Sequence, residues 1–300
     1  MSKQKFDVFG LGQCAWDYIG QIDVFPKSDS KTEIPFLVMQ GGGPVATALV
    51  ALKRWGFSCS FCGVIGDDLF GQQIISSLEE ENVNTDSIII RKGFESQLAF
   101  IVAEKDSGRR TIFWRRPTGE AAKEEELDFQ KIKNARILHT DGLFPEASIA
   151  AARIARKAGV PVIVDAGTLR EGMLELARYS DYYIVSETFA KAMTGNLNPH
   201  KACKSLQKLG PAVVGVTLGY RGYLVLSGDN WIEGPAYKVK SIDTTGCGDI
   251  FHAAISYGVL QNWPLRKMCD FAAWAAAQVS TRLGGRTGIP AVDQYSDPAI

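Results

Sequence analysis

The chain has no excess of charge of either sign: 33 Lys and Arg stand against 33 Asp and Glu, so the formal net charge is zero. That balance leaves no overall basic field for nucleic acid or an anionic membrane, and an anionic ligand needs a local site. No apolar run approaches the roughly twenty residues of a membrane-spanning helix. The first residues carry no apolar stretch after their charges, so no signal peptide is read and a cytoplasmic location is expected. Six cysteines, at 14, 59, 62, 203, 247 and 269, are too scattered for a disulfide framework and read as reduced thiols. Cys59 and Cys62 fall in a predicted strand, where residues three apart face opposite sides, and no second pair completes a zinc site. Histidine is scarce, and His139, His200 and His252 lack ligand spacing, which points to core or surface roles. No repeat, low-complexity tract or linker divides residues 1–300, so one domain is expected.

What is present is apolar material, 46% of 300 residues, whose period alternates between strand and helix. Strands are predicted over 6–11, 58–65, 88–90, 135–139, 161–165, 182–185 and 212–217, with a hairpin over 222–226 and 230–232. Helices are predicted over 44–55, 69–81, 145–158, 187–193, 247–260 and 265–282, with a short one from 170. Strands separated by helices imply a mostly parallel sheet covered on both faces, with ligands beyond the carboxyl ends of its strands. Two segments, about 15–39 and 97–116, read as strand pairs without a helix, the second turning at Asp106-Ser107-Gly108. They are expected to form an antiparallel lid standing off the main sheet.

Asp243-Thr-Thr-Gly-Cys-Gly-Asp249 follows a strand-like segment and opens a helix. Gly246 and Gly248, around Cys247, leave backbone N–H groups uncovered at a helix N-terminus, an anion site. Asp249 then sits in the first turn, within reach of what the anion hole holds. Phosphoryl transfer needs that pairing of donors for the moving group with a base for the attacking hydroxyl. A dinucleotide fingerprint beginning at Gly10-Leu-Gly12 fails, because position 15 is Ala and Pro26 interrupts the helix it needs.

The heptapeptide resembles the D-T-x-G-A-G-D signature of the ribokinase-like (PfkB-type) carbohydrate kinases, and the similarity extends over essentially the whole chain. Gly42-Gly43-Pro44-Val45-Ala46-Thr47 resembles the family's G-G-x-x-x-N motif, and Thr217-Leu-Gly219-Tyr-Arg-Gly222 its nucleotide-side T-x-G-x-x-G turn. Thr281-Arg-Leu-Gly-Gly285 with Ile289-Pro290 resembles the loop after its last long helix. The resemblance implies a three-layer α/β/α ribokinase-like domain with a small β-sheet lid, and transfer of the γ-phosphoryl group of ATP, with Mg2+, to a sugar hydroxyl. It implies Asp249 as base, Gly246, Cys247 and Gly248 as anion hole, and Asp17, Gly42, Gly43 and Thr47 at the sugar. It places Ser186, Thr217, Gly219, Gly222 and Gly285 at the nucleotide. Asp243 and Thr245, with carbonyls of 280–288, match the loop that holds K+ in potassium-dependent members. A lid of this kind is also a candidate homodimer contact.

Two positions depart from the pattern. The sugar-side Asn is Thr47, and the N-x-x-E motif linked to magnesium aligns with Ser186-Glu-Thr-Phe189, leaving Glu187 for an indirect, water-mediated role. Asp141, after a strand end, reads equally as a site residue or an Asx turn. Asp165, with Arg170, resembles a family D-x-x-x-x-R segment, and both orienting a water and capping the loop stay open for it. In the lid, Arg110-Thr-Ile resembles ketohexokinase-type members. Strand alternation puts Arg110 on one face with Ile112 and Trp114, and Arg109, Phe113 and Arg115 on the other. Arg110, aided by Arg116, suits an anionic or polyhydroxylated acceptor, a ketose-like sugar or sugar acid; solvating an edge strand is the competing role. The alternatives are a kinase-like sugar- or nucleotide-binding protein without turnover, and a kinase for a sugar phosphate or nucleoside.

Overall fold

The computed structural model describes residues 5–195 and 198–296. The first half of the chain runs β1 (Val8–Leu11), β2 (Ala15–Ile22), β3 (Phe36–Gly42), α1 (Pro44–Arg54), β4 (Cys59–Cys62), β5 (Val64–Gly66), α2 (Leu69–Glu79), β6 (Ile89–Arg91), β7 (Leu98–Glu104) and β8 (Arg110–Arg115). The second half runs α3 (Phe129–Asn134), β9 (Ile137–Thr140), α4 (Pro145–Lys157), β10 (Val162–Ala166), α5 (Met173–Ala177), β11 (Tyr182–Ser186), α6 (Glu187–Thr194), α7 (Pro199–Gln207), β12 (Val213–Thr217), β13 (Tyr223–Ser227), β14 (Asn230–Gly234), α8 (Cys247–Leu260) and α9 (Leu265–Val279).

Eight strands form the main sheet in the order β14-β13-β12-β11-β10-β9-β1-β4, parallel from β4 to β12 and antiparallel at the closing hairpin. Alternation along each strand feeds two cores. Ile137, Ile163 and Ile184 face the layer of α1, α8 and α9, while Leu138, Val162, Val164, Tyr183 and Val185 face the layer of α4 to α7. The result is three layers, α/β/α, as expected.

The lid is a separate four-stranded sheet in the order β3-β2-β7-β8. Its outer pairs are antiparallel, but β2 and β7 run parallel, which corrects the expected all-antiparallel flap. Both strands leave the main body in the same direction, one after β1 and one after β6, so their ladder is parallel. The strand predicted over 58–65 is also two strands. It breaks at Gly63: β4 stays in the main sheet, and β5 pairs with β6 as a two-stranded ribbon. Cys59 and Cys62 lie on opposite faces of β4, one in each core, and all six thiols are free. The last helix ends at Val279, three residues earlier than predicted, and Ser280 begins the loop that returns to the site.

Candidate active site

α8 begins beyond the carboxyl ends of the parallel strands, and its first turn organises the site. Gly246 caps it in the left-handed region at φ +79°, where a Cβ would run into the Gly285 backbone. The Cys247 N–H makes only a long contact to the Thr244 carbonyl (3.4 Å), the N–H groups that open a helix lack a carbonyl a turn before them, and a side chain at exposed Gly248 would project into open space. That leaves room for an anion against the backbone of Gly246, Cys247 and Gly248. Burial pushes the Cys247 thiol up to about 12, so it stays neutral there.

Asp243 holds this loop in place. Its buried carboxylate accepts from the Thr245 N–H (2.9 Å) and hydroxyl (2.7 Å), and from the Gly284 N–H (2.9 Å). The N–H groups of Ile242 and Asp243 both donate to the Ser280 carbonyl, at 2.7 and 3.1 Å. Thus the anion-hole loop and the 280–288 loop form one hydrogen-bonded unit.

Asp249, half-buried in the first turn, has its carboxyl pushed up to about 7 by burial and by the nearby Asp165 carboxylate. His252, Arg110 and Asp17 also act on it, the first two opposing the rise and the third adding to it. Arg110 comes from the lid. Its Nη1 donates to the Thr244 hydroxyl at 2.7 Å, bridging lid and anion-hole loop. The lid register confirms that Arg110 shares a face with Ile112 and Trp114, the face that also bears Asp17. Arg116 instead stacks over the Trp114 ring at 5.1 Å.

Asp17 is buried on β2, and burial raises its carboxyl to about 7 against the pull of Arg286. A Cβ on Gly42 would coincide with its carboxylate, so β3 crosses Asp17 only because position 42 is glycine. Gly43 precedes α1, and Thr47 is buried in that helix with its N–H donating to the Gly43 carbonyl (2.9 Å). Asp141 accepts from Leu143 N–H (2.9 Å), an Asx turn, and also from Gln13 N–H (2.8 Å), tying the ends of β9 and β1 together.

The nucleotide-side candidates lie on the neighbouring strands. Thr217 ends β12, and Gly219 and Gly222 frame the 219–221 turn at φ +59° and +90°. Ser186 caps α6, accepting from Phe189 N–H (3.0 Å) and donating to the Gly167 carbonyl (2.6 Å). Phe189 is fully buried with its edge on Tyr183, so this position faces the core. Glu187 is engaged by Arg221 at 2.8 Å, and Arg170 is exposed.

Several residues here escaped sequence reading. Gln13 donates to Gln97 across the base of the lid. Arg286 is buried beside Gly41, with its Nε unpartnered among the described residues. His252, expected in a core or surface role, lies one turn beyond Asp249 and touches Gly248, Asp165 and Ile184. Its i+3 spacing from Asp249 was the available signal.

With this geometry in place, comparison is decisive. The profile described as pfkB family carbohydrate kinase matches residues 6–292. The chain belongs to that family. Fructokinase-2 of Zea mays is 30% identical, over 97% of this chain and 93% of that protein. Ribokinase from Thermotoga maritima superposes with a TM-score of 0.82, at 24% identity, over 96% of this chain and 97% of that one. Arabidopsis thaliana ribokinase, complexed with ribose and ATP, gives 0.81 at 22% identity, over 98% of this chain and all (100%) of that one. The fold is ribokinase-like, and the protein is a carbohydrate kinase, a phosphotransferase with an alcohol acceptor. No helix among the kinase's described residues is long and apolar enough to cross a membrane.

Proposed function

We propose that this kinase transfers the γ-phosphoryl group of ATP to a hydroxyl of a ketose-like sugar or sugar acid, with Asp249 as base. The observation that carries the reading is the convergence on one helix turn of Asp249, the anion hole and the lid's Arg110. Asp17 accepts from acceptor hydroxyls, since an ionised carboxylate offers two acceptor oxygens to neighbouring donors. Gly42 and Gly43 bring the backbone close to the acceptor, with Thr47 behind them. Arg110 closes over the acceptor and the transferring group. Thr217, Gly219, Gly222, Gly285 and Ser186 line the nucleotide. As the acceptor hydroxyl attacks, Asp249 takes its proton while the first-turn N–H groups of α8 stabilise the charge on the moving group.

The open space at Gly248 fits a phosphate lying on the backbone. Among the described residues, no cluster of three or more His, Cys, Asp or Glu is placed to hold a metal ion. Mg2+ would arrive on the nucleotide phosphates with waters of its own and would neutralise phosphate charge. Glu187 is the candidate to hydrogen-bond one of those waters, with Arg221 fixing its position.

Asp243, Thr245 and the carbonyls of 280–288 support activation by a monovalent cation, which would order the anion hole without touching substrate. The six free thiols support a cytoplasmic setting. The exposed apolar outer face of the lid supports a homodimer.

A coupled assay of ADP release, screened over ketohexoses, pentoses, sugar acids, sugar phosphates and nucleosides, tests the reading. Turnover with a ketose or sugar acid is expected. Preference for a sugar phosphate or nucleoside would move the acceptor class, and binding without ADP release on any of them would overturn catalysis. Equal rates in potassium, sodium and a bulky organic cation would remove the cation from the account.

A further inference from the structure

His252 is 2% exposed and lies on α8 one turn after the catalytic base. Its Nδ1 is 2.7 Å from the Gly248 carbonyl oxygen and 3.3 Å from Asp165 Oδ2, and its Nε2 is 3.1 Å from the Ile184 carbonyl oxygen. Both groups that hydrogen-bond the ring are backbone carbonyl oxygens, which only accept. A neutral imidazole has one N–H and one lone pair, so one nitrogen would point its lone pair at a carbonyl oxygen. Both carbonyl contacts are satisfied only when both nitrogens carry hydrogen, and Asp165 Oδ2 then lies 3.3 Å from a charged ring. Asp165 is buried, and its Oδ2 has no hydrogen-bond partner among the described residues, so the ring is the charge it faces.

Through these contacts one side chain ties together the anion hole at Gly248, the end of β11 at Ile184 and the end of β10 at Asp165. Resting on the reading of Asp249 as base, we propose that His252, as an imidazolium paired with Asp165, is a positioning residue for phosphoryl transfer: it fixes the peptide between Gly248 and Asp249, which joins the anion hole to the base, and supplies the positive charge that keeps Asp249 ready to accept a proton.

The charged groups around this centre are few. Asp249 is faced by Asp165 from β10, His252 from its own helix, Arg110 from β8 and Asp17 from β2. His252 is faced by Asp165 and, from β9, by His139. His139 is wholly buried, and burial pushes its ring down to about 3, so it is neutral. Its Nδ1 meets the Ser256 hydroxyl at 2.9 Å, one turn further along α8. Two histidines a few residues from the same helix face thus have opposite environments, one with only acceptors and one with a hydroxyl.

The two partners of the pair act on Asp249 with opposite sign: Asp165 raises its carboxyl and His252 lowers it. In His252→Asn the acid limb of kcat/KM therefore moves to higher pH, and in Asp165→Asn to lower pH, each by on the order of one unit. The kcat of His252→Asn falls about ten- to a hundred-fold, the rate equivalent of one charge-assisted hydrogen bond. A side chain that only fills space would lower the melting temperature and leave both limbs where they are. Folded variants with unmoved limbs overturn the proposal.

A second measurement does not depend on turnover. In the wild-type protein, ring-nitrogen NMR signals of His252 at neutral pH are expected to show N–H on both nitrogens, while His139 shows one bare nitrogen. A bare nitrogen on His252 overturns the proposal even where the variants fail to fold. Absence of ADP release from the wild type would instead count against Asp249 as base, and the NMR result would still stand by itself.

Discussion

Three carboxyls, on Asp17, Asp141 and Asp249, are held at about 7 by burial, against an ordinary 3.8. Two consequences follow in opposite directions. With Asp249 as the proposed base, catalysis needs it ionised, so kcat/KM should climb through an acid limb centred near about pH 7. Stability needs the reverse: between about pH 4 and about 7 the folded chain keeps protons that the unfolded chain has released. These raised groups stabilise the fold fully below the ordinary value, and that contribution is lost as pH rises through 7. The unliganded protein should therefore melt at a lower temperature at about pH 8 than at about pH 6, as calorimetry can show. Asp249→Asn removes a buried charge and the proton acceptor together. Its kcat should drop by about 10²–10⁴, while its melting temperature above pH 7 rises and an ATP analogue still binds by titration calorimetry. A variant keeping more than about a tenth of wild-type kcat would mean that another group takes the proton.

At the level of elements, the lid was legible as two helix-free strand pairs, and its turn at 106–108 falls between β7 and β8 as read. Its parallel inner ladder was not, because alternation of apolar residues is the same whichever way the partner strand runs. The break at Gly63 was hidden for a similar reason. Residues 59–66 are all buried and, Ser60 apart, carry no polar side chain, while the switch of partner is set by Ile89, whose N–H reaches the Gly63 carbonyl at 2.8 Å. Within the site, the short motif around Asp249 carried its own geometry, since anion hole and base lie within one turn. Arg286 near Asp17, and Arg221 on Glu187, depend on loops distant in sequence that no local spacing encodes. Arg110 lies between these cases: its face was readable, its reach to Thr244 was not. Because it reaches the anion-hole loop from the lid and is proposed to close over the acceptor, Arg110→Ala should raise KM for the acceptor. The expected size matches about 1.5–3 kcal/mol for a charged hydrogen bond, with KM for ATP nearly unchanged. An unchanged acceptor KM would assign the arginine to solvation of the β8 edge.

On the scale of the whole molecule, the two faces of the lid have different fates. One carries Asp17 and Arg110 toward the site; the register puts Tyr18, Leu37, Met39, Phe100 and Phe113 together on the other. Leu37, Met39, Phe100 and Phe113 are each at least half exposed, and the Tyr18 and Phe100 rings stack at 5.2 Å. A β-sheet with one apolar face to water is short of a partner layer. α2 packs against β2 and β3 but leaves Leu37, Met39, Phe100 and Phe113 exposed, and in the proposed homodimer a second lid, presenting the same apolar face, would cover them. Sedimentation should then give twice the chain mass. Phe100→Asp with Met39→Glu places charge in the middle of the face without touching Asp17 or Arg110, and should yield a folded species of single mass. If Arg110 closes the acceptor site as proposed, that monomer should also show a raised acceptor KM while its melting temperature stays close to the parent's. A wild-type protein that sediments as a single chain at all concentrations would leave the lid face without this partner and the dimer out of the account.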